Sequence, residues 1–299
     1  MTLRVRTLAA AGARVGESPL WLPEDGVWLW LDLQGRAVHR YDPASGRDRV
    51  IAREFDEDLA CLARLGPGAC LLATVRGFRR LDSASGATEP LPCPVDLPPG
   101  TIFNDGKADR HGAFWIGSSD CEEQAPLGRL WRIAGGEARE VARGFLVSNG
   151  PAFSPGGEAA YFADTMGRRL LRLLLGSDGS PGAAEVLAEV PETKGLPDGL
   201  TVDAEGFLWV GHWDGAQVSR WSPDGRLQDE VALPARNVTS LAFGGEDLRD
   251  VLVTTASLLP GQKVVDAAPN GDLLGWRSAV AGIEEPLLRP DCLGRVRSP

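Results

Sequence analysis

Phe103-Asn104-Asp105-Gly106-Lys107-Ala108-Asp109-Arg110-His111-Gly112-Ala113-Phe114-Trp115-Ile116-Gly117-Ser118 joins two unlike halves in one run. The first, Asn104 to Lys107, is polar and turn-prone: Asn and Asp side chains bond their own backbone, and Gly tolerates positive φ. The second, Ala113 to Gly117, reads as a short buried strand entered through a turn over Asp109, Arg110, His111 and Gly112. Taken alone, the polar half is simply a turn. A polar tip held against a rigid apolar strand is also where binding residues concentrate. Echoes of the strand half elsewhere in the chain decide between the two.

A Gly-containing turn followed by a short apolar or aromatic strand recurs at Asp25 to Trp30, Pro67 to Leu72, His111 to Ile116, Gly156 to Phe162 and Glu205 to Val210. A degraded copy runs from Asp247 to Val253. The copies lie about 42 to 49 residues apart, the spacing of propeller blades. A second strand follows most copies, as at Arg36 to Tyr41 and Gln217 to Trp221, and its alternation predicts an outer strand with one wet face. With 37 Gly, 22 Pro and few amphipathic helical patterns, the chain reads as all-β. The expected fold is a six-bladed β-propeller of four-stranded antiparallel blades, with residues 1–299 as a single domain. A pair of β-sandwiches is disfavoured by six evenly spaced copies. No blade should be stable alone, because each covers its neighbour.

Composition narrows the function classes. Thirty-one Lys and Arg against 41 Asp and Glu give a net charge of −10, and no basic run occurs, so no nucleic-acid partner is expected. The five cysteines are scattered, without Cys-x-x-Cys spacing, which argues against a disulfide framework or thiolate zinc site and fits a reducing compartment. Residues 1–15 lack the apolar core of a secretory leader, and no stretch approaches the roughly 18 apolar residues of a membrane helix. The expectation is a cytoplasmic protein with no membrane partner, a monomer or weak homodimer.

Function in a propeller must come from residues at one mouth of the central channel. Three segments place an oxygen-bearing side chain beside Gly or Pro ahead of a repeat: Gly16-Glu17-Ser18-Pro19, Ser148-Asn149-Gly150-Pro151 and Pro197-Asp198-Gly199. They occupy equivalent places in blades 1, 4 and 5 and can converge on the axis. Glu, Asn and Asp supply hard oxygen ligands, which suit Ca2+, Mg2+ or Mn2+; Zn2+ also accepts carboxylate oxygen. The three histidines, His39, His111 and His212, are unpaired, which argues against a His-based zinc site.

These segments, with Phe103 to Asp109, resemble the signatures of the regucalcin/gluconolactonase family, also called senescence-marker-protein or luciferin-regenerating-enzyme-like. The motifs run from Glu17 to Trp213; Thr254-Thr255-Ala256-Ser257 carries the likeness further on. The resemblance implies a six-bladed propeller with one divalent cation at the channel mouth, Ca2+ first and Zn2+, Mn2+ or Mg2+ as alternatives. It implies hydrolysis of sugar-acid lactones, small molecules being the partners. Carried over by position, Glu17, Asn149 and Asp198 match the metal ligands, and Asp198 also matches the general base. Asn104 matches a substrate contact, and Glu122 falls at the spacing of a substrate-contacting acid. Many members carry Arg where Ile102 stands, two residues before Asn104. Losing that guanidinium fork changes which lactone the pocket favours while leaving the metal ligands in place.

Other polar residues carry plainer expectations. Lys107 and Asp105 read as a structural salt bridge or turn contacts, Asp164 as an inner-strand residue near the channel, and His212 as a satisfied structural histidine beside Trp213. Thr239 and Ser240 have no assigned direction. Two other functions share the cation ligands: a calcium-binding regulatory propeller without turnover, and a hydrolase of other esters. A single site with only two carboxylates should bind Ca2+ weakly, which argues against buffering.

Overall fold

A computed structural model describes residues 4–259, 263–264 and 269–294. The Gly-turn repeats fold as the second strand of each blade: Val27–Asp32, Ala69–Thr74, Phe114–Asp120, Ala159–Asp164, Leu208–Trp213 and Asp250–Ala256. Each pairs antiparallel with an innermost strand: Gly16–Leu22, Leu59–Gly66, Thr101–Ala108, Ser148–Phe153, Leu196–Val202 and Asn237–Gly244 respectively. Third and fourth strands complete six four-stranded sheets, numbered here as blades 1 to 6. The architecture is a six-bladed β-propeller. Blade 6 is composite: the early strand Arg6–Ala9 pairs with Leu273–Arg277 as its outermost strand, Arg6 opposite Gly275. Among the described residues the only helix is one 3-10 turn, Glu192–Lys194, and no helix is long and apolar enough to cross a membrane.

The apolar core lies in the seams between blades. Six clusters fill them, among the described residues. Trp21, Trp28 and Trp30 of blade 1 meet Ala242 and Leu252 of blade 6 in one, and Phe103 and Phe114 of blade 3 meet Cys61 and Leu71 of blade 2 in another. Fully burying a large apolar side chain is worth roughly 1.5–3 kcal/mol, and these side chains gain it only from the next blade. The second strands are therefore buried on both faces, as Val27–Asp32 and Ala159–Asp164 are throughout.

Two expectations change here. Ala37–Asp42 and Gln217–Trp221 are third strands, mostly buried; the wet edges are the fourth strands, Arg47–Ala52 and Leu227–Ala232. Asn104 to Lys107 is not a turn but the middle of an innermost strand, carried through an irregularity in its pairing.

The turns that launch the second strands of blades 3 and 5 are built alike. Asp109 Oδ1 accepts from the N–H groups of His111 and Ala113, and Oδ2 accepts from Trp115 Nε1 at 2.8 Å and Arg132 Nε at 3.2 Å. Asp203 does the same for Glu205, Phe207, Trp209 Nε1 and Arg220 Nε. One carboxylate thus closes the turn, satisfies a buried indole and pairs with an arginine from the next strand. Opposite the mouth, residues 278–294 cross the propeller as a strap. Gly282 N donates to Leu248 O in blade 6, Ala204 N of blade 5 to Ala281 O, and Leu288 N to Arg64 O in blade 2. The buried Arg64 guanidinium holds it, with Glu24 and Glu284 carboxylates each at 2.5 Å.

Asp203→Ala removes one partner of a buried pair and orphans Trp209 Nε1. The expected cost is about 3–5 kcal/mol, read as a lower urea midpoint with an unchanged slope. A loss below about 1 kcal/mol would mean the turn does not depend on this carboxylate.

Candidate functional site

All six innermost strands slip register against their second strand: between Glu17 and Leu20, Leu59 and Cys61, Phe103 and Gly106, Asn149 and Ala152, Pro197 and Leu200, and Val238 and Ser240. An extra residue in a strand bends it and re-aims a side chain. The Gly and Pro residues of the motifs make the slip possible. Ser18 and Gly150 adopt φ of +51° and +82°, and Pro19, Pro151 and Pro197 have no N–H to leave unpaired. A Cβ on Gly199 would sit 2.4 Å from Ser240 Oγ, so blade 5 closes on blade 6 there only with glycine.

The polar side chains at these points are buried or half-buried and bonded within and across blades. Asn104 Nδ2 of blade 3 donates to Asn149 Oδ1 at 2.8 Å and to Ser148 O at 3.0 Å in blade 4. Asn149 Nδ2 donates to Thr165 Oγ1 at 2.9 Å. Glu17 Oε2 accepts from Ser18 N at 2.8 Å, and Ser18 Oγ accepts from Leu62 N of blade 2 at 2.7 Å. Asp105 Oδ1 and Oδ2 accept from Gly106 N at 2.7 Å and Gly150 N at 3.0 Å. Thr239 Oγ1 donates to Gly16 O, joining blade 6 to blade 1.

Three carboxylates share this interior. Burial pushes Glu17 well above its ordinary value, and the like charges of Asp198 and Asp105 push it further. Burial raises Asp198 strongly as well, with Asp105 and Glu123 adding repulsion. Asp105 is pushed up by burial to about 6, against the favourable charge of Lys107 and its two backbone bonds. The Cys61 thiol of blade 2 is raised by burial and by the nearby Asp105 and Glu17. Lys107 brings a cation but is already engaged: Nζ donates to Leu200 O at 3.0 Å and pairs with Glu285 of the strap at 3.2 Å.

The sequence-derived residues fall out as follows. Glu17 and Asp198 lie within electrostatic reach of each other, and Asn104 and Asn149 are in direct contact. Ile102 and Asn104 are both half-buried while Phe103 between them is buried, as alternation on a strand requires. Glu122 is exposed on the mouth loop after Phe114–Asp120, and its neighbour Glu123 is the one whose charge reaches Asp198. Lys107 pairs with Glu285, not with Asp105. Asp164 ends a second strand, not an innermost one, and is held by Arg169 at 2.5 Å. His212 is fully buried on blade 5 with Nε2 2.6 Å from Ser219 Oγ; burial lowers its pKa to about 4. Thr165, which orients the Asn149 amide, and Ser18 were not singled out. Thr165 directly follows the Ala159–Asp164 strand, where the chain turns at the mouth.

No group of three His, Cys, Asp or Glu side chains among the described residues is arranged to hold an ion by itself.

Residues 15–257 match the family described as SMP-30/Gluconolactonase/LRE-like region. The chain belongs to this family. Among curated relatives, the 6-deoxy-6-sulfogluconolactonase of Pseudomonas putida is 36% identical over 91% of this chain and 94% of its own length. A pentonolactonase of Haloferax volcanii is 34% identical over 85% of this chain and 86% of its own. Among solved structures, a calcium-binding protein, regucalcin, from Agrobacterium tumefaciens superposes with a TM-score of 0.87 at 31% identity, covering 96% of this chain and 98% of that one. The family and the propeller expected from the motifs are thus both found.

The raised carboxylates set a pH dependence. Unfolded, Glu17 titrates near 4.5; folded, it holds its proton to higher pH, so the folded state binds more protons above that point. Stability from this group is therefore lost as pH rises from 4.5 through the folded value. In cation-free protein, the Tm of the wild type minus that of Glu17→Gln should become steadily more negative from pH 4.5 upward. A difference that stays constant or grows positive would show that Glu17 is not held toward its protonated form.

Proposed function

We propose that this chain is a divalent-cation-dependent hydrolase of sugar-acid lactones. The observation that carries the proposal is the set of buried carboxylates at the channel mouth, whose nearby lysine is already paired with Glu285. Buried charges need a counter-ion, and removing one is costly. Two carboxylates and an amide oxygen are the donors that hard cations take, so the residues fit the group, Ca2+ first. The names of the lactonase relatives support the substrate class.

In this reading Glu17, Asn149 and Asp198 hold the cation. When bound, it supplies Lewis acidity for the lactone carbonyl and acidifies water. Asp198 accepts the proton of the attacking water. The new C–O bond forms at the carbonyl carbon, the ring C–O bond breaks, and the same proton goes to the departing ring oxygen. Asn104 orients the lactone, its amide fixed by Asn149 and Ser148. The mouth loop carrying Glu122 and Glu123 borders the substrate side. Cation binding without turnover is the rival reading, since the regucalcin neighbour is a calcium-binding protein.

A panel of aldonolactones assayed on purified protein, with and without EDTA, tests this. Turnover should depend on the cation. Asp198→Asn, which keeps an oxygen ligand but loses the base, should lower kcat on the order of 10²-fold or more while retaining some cation affinity. Near-normal turnover in a cation-loaded Asp198→Asn protein removes Asp198 as base; no turnover of any lactone leaves the binding-protein reading.

Ile102 sets the second expectation. It faces the same side as Asn104 and cannot hydrogen-bond a hydroxyl, so the pocket should favour a lactone smaller or less hydroxylated at that end, such as a pentonolactone. Apolar walls discriminate weakly, by roughly 10- to 200-fold, so several lactones should react at comparable kcat/KM. Ile102→Arg should shift preference toward six-carbon lactones. A wild-type preference for glucono-1,5-lactone of more than about a thousandfold would contradict this, being beyond what an apolar wall supplies.

A further inference from the structure

Asp105 has no part in the scheme above, yet both of its oxygens are engaged at the mouth. It is buried, and its two oxygens accept from two different blades: Gly106 N of its own strand and Gly150 N of blade 4. Both N–H groups lie at register slips, where ladder partners are lost and a side chain must replace them. Both donors belong to glycines, and the space around them is closed. A Cβ on Gly106 would lie 2.5 Å from Trp115 O, and one on Gly150 would lie 3.0 Å from Leu200 at a φ of +82°. The residues on either side of this bridge are Asn104, next to Asp105, and Asn149, next to Gly150. Their amides meet at 2.8 Å.

We propose that Asp105 is a positioning residue whose carboxylate staples the blade 3 slip to the blade 4 slip and so sets the orientation of the Asn104 and Asn149 amides. The inference rests on the reading of Asn149 as a cation ligand and Asn104 as a substrate contact. It adds the means by which two neutral, freely rotating side chains are kept aimed. Three links fix the Asn149 amide: Asn104 holds its oxygen, Thr165 holds its nitrogen, and the staple holds the backbone that carries it. Asp105→Ala removes both acceptor oxygens and leaves two N–H groups to find water. Asp105→Asn keeps one acceptor oxygen, so it should retain half of the bridge.

The test compares EDTA-treated wild type, Asp105→Ala and Asp105→Asn by Ca2+ titration calorimetry, with circular dichroism to establish folding and kcat and KM measured on a turned-over lactone. Loss of an outer support for a ligand costs about 10- to 100-fold in metal affinity. Folded Asp105→Ala should bind Ca2+ about 10- to 100-fold more weakly and show a raised KM, with Asp105→Asn between it and the wild type. A purely structural role would lower Tm and leave the Ca2+ affinity of the folded protein unchanged, which overturns the proposal. Should Asp105→Ala not fold, Asp105→Asn decides: a loss of less than about threefold in Ca2+ affinity overturns it. If the wild type binds no Ca2+, the cation reading falls and this proposal with it. If the wild type binds Ca2+ but hydrolyses no lactone, only the lactonase reading falls, and the Ca2+ affinities still support or overturn the staple.

Discussion

A strand that keeps register presents its side chains alternately to its two faces, and in a propeller both faces of the inner strands are buried against neighbouring blades. Such a strand has no direction left in which to offer a polar group to the axis. The register slip repeated in every innermost strand removes that constraint. At Glu17, Asn149 and Asp198 it turns a residue out of the apolar seam, and Gly or Pro beside it absorbs the backbone cost. The same slips expose unpaired N–H and C=O groups, and these are taken up by side chains of adjacent blades: Ser18 with Leu62, Asn104 with Ser148, Thr239 with Gly16. Functional geometry and inter-blade cohesion at the mouth arise from one irregularity.

Charge follows from the same arrangement. Glu17, Asp105 and Asp198 are gathered where water is scarce, and each is displaced toward its protonated form by burial. Lys107 tempers Glu17 and Asp105, but its head group is anchored from below by Glu285. The strap across the far face therefore does more than cover apolar surface. It fixes the position of the one lysine that these carboxylates feel, and it brings Glu284 and Glu285 against Arg64 and Lys107.

The sequence carried the fold because its signals are local. Asp109, Gly112 and Trp115, and again Asp203, Gly206 and Trp209, state within seven residues a turn, a strand and an indole that needs an acceptor. Glu17, Asn149 and Asp198 stand out as candidates in the sequence because a Gly or Pro adjoins each of them. What was not legible depends on partners far along the chain. Asp105 looks like a turn residue until Gly150, 45 positions away, arrives to share it. Lys107 looks like its partner until Glu285, 178 positions away, claims it. The strap has no repeat signature: it is held by scattered backbone bonds to blades 2, 3, 5 and 6 and by the pairing of Glu284 and Glu285 with Arg64 and Lys107. The choice between Glu122 and Glu123 turns on the path of an exposed loop, which no periodicity specifies.

The composite last blade has a consequence for how the molecule comes into being. Its outermost strand, Arg6–Ala9, is made before blades 1 to 5, and the strand it must join, Leu273–Arg277, after them. Blades 1 to 5 can stack as they emerge, but the flank of blade 1 that carries Trp21, Trp28 and Trp30 waits for Ala242 and Leu252 to cover it. Gly16, one residue before Glu17, is likewise gripped by Thr239 across 223 positions. The carboxylate of Glu17 thus comes within reach of Asp198 only when the circle shuts, so a nascent or truncated chain carries these carboxylates apart.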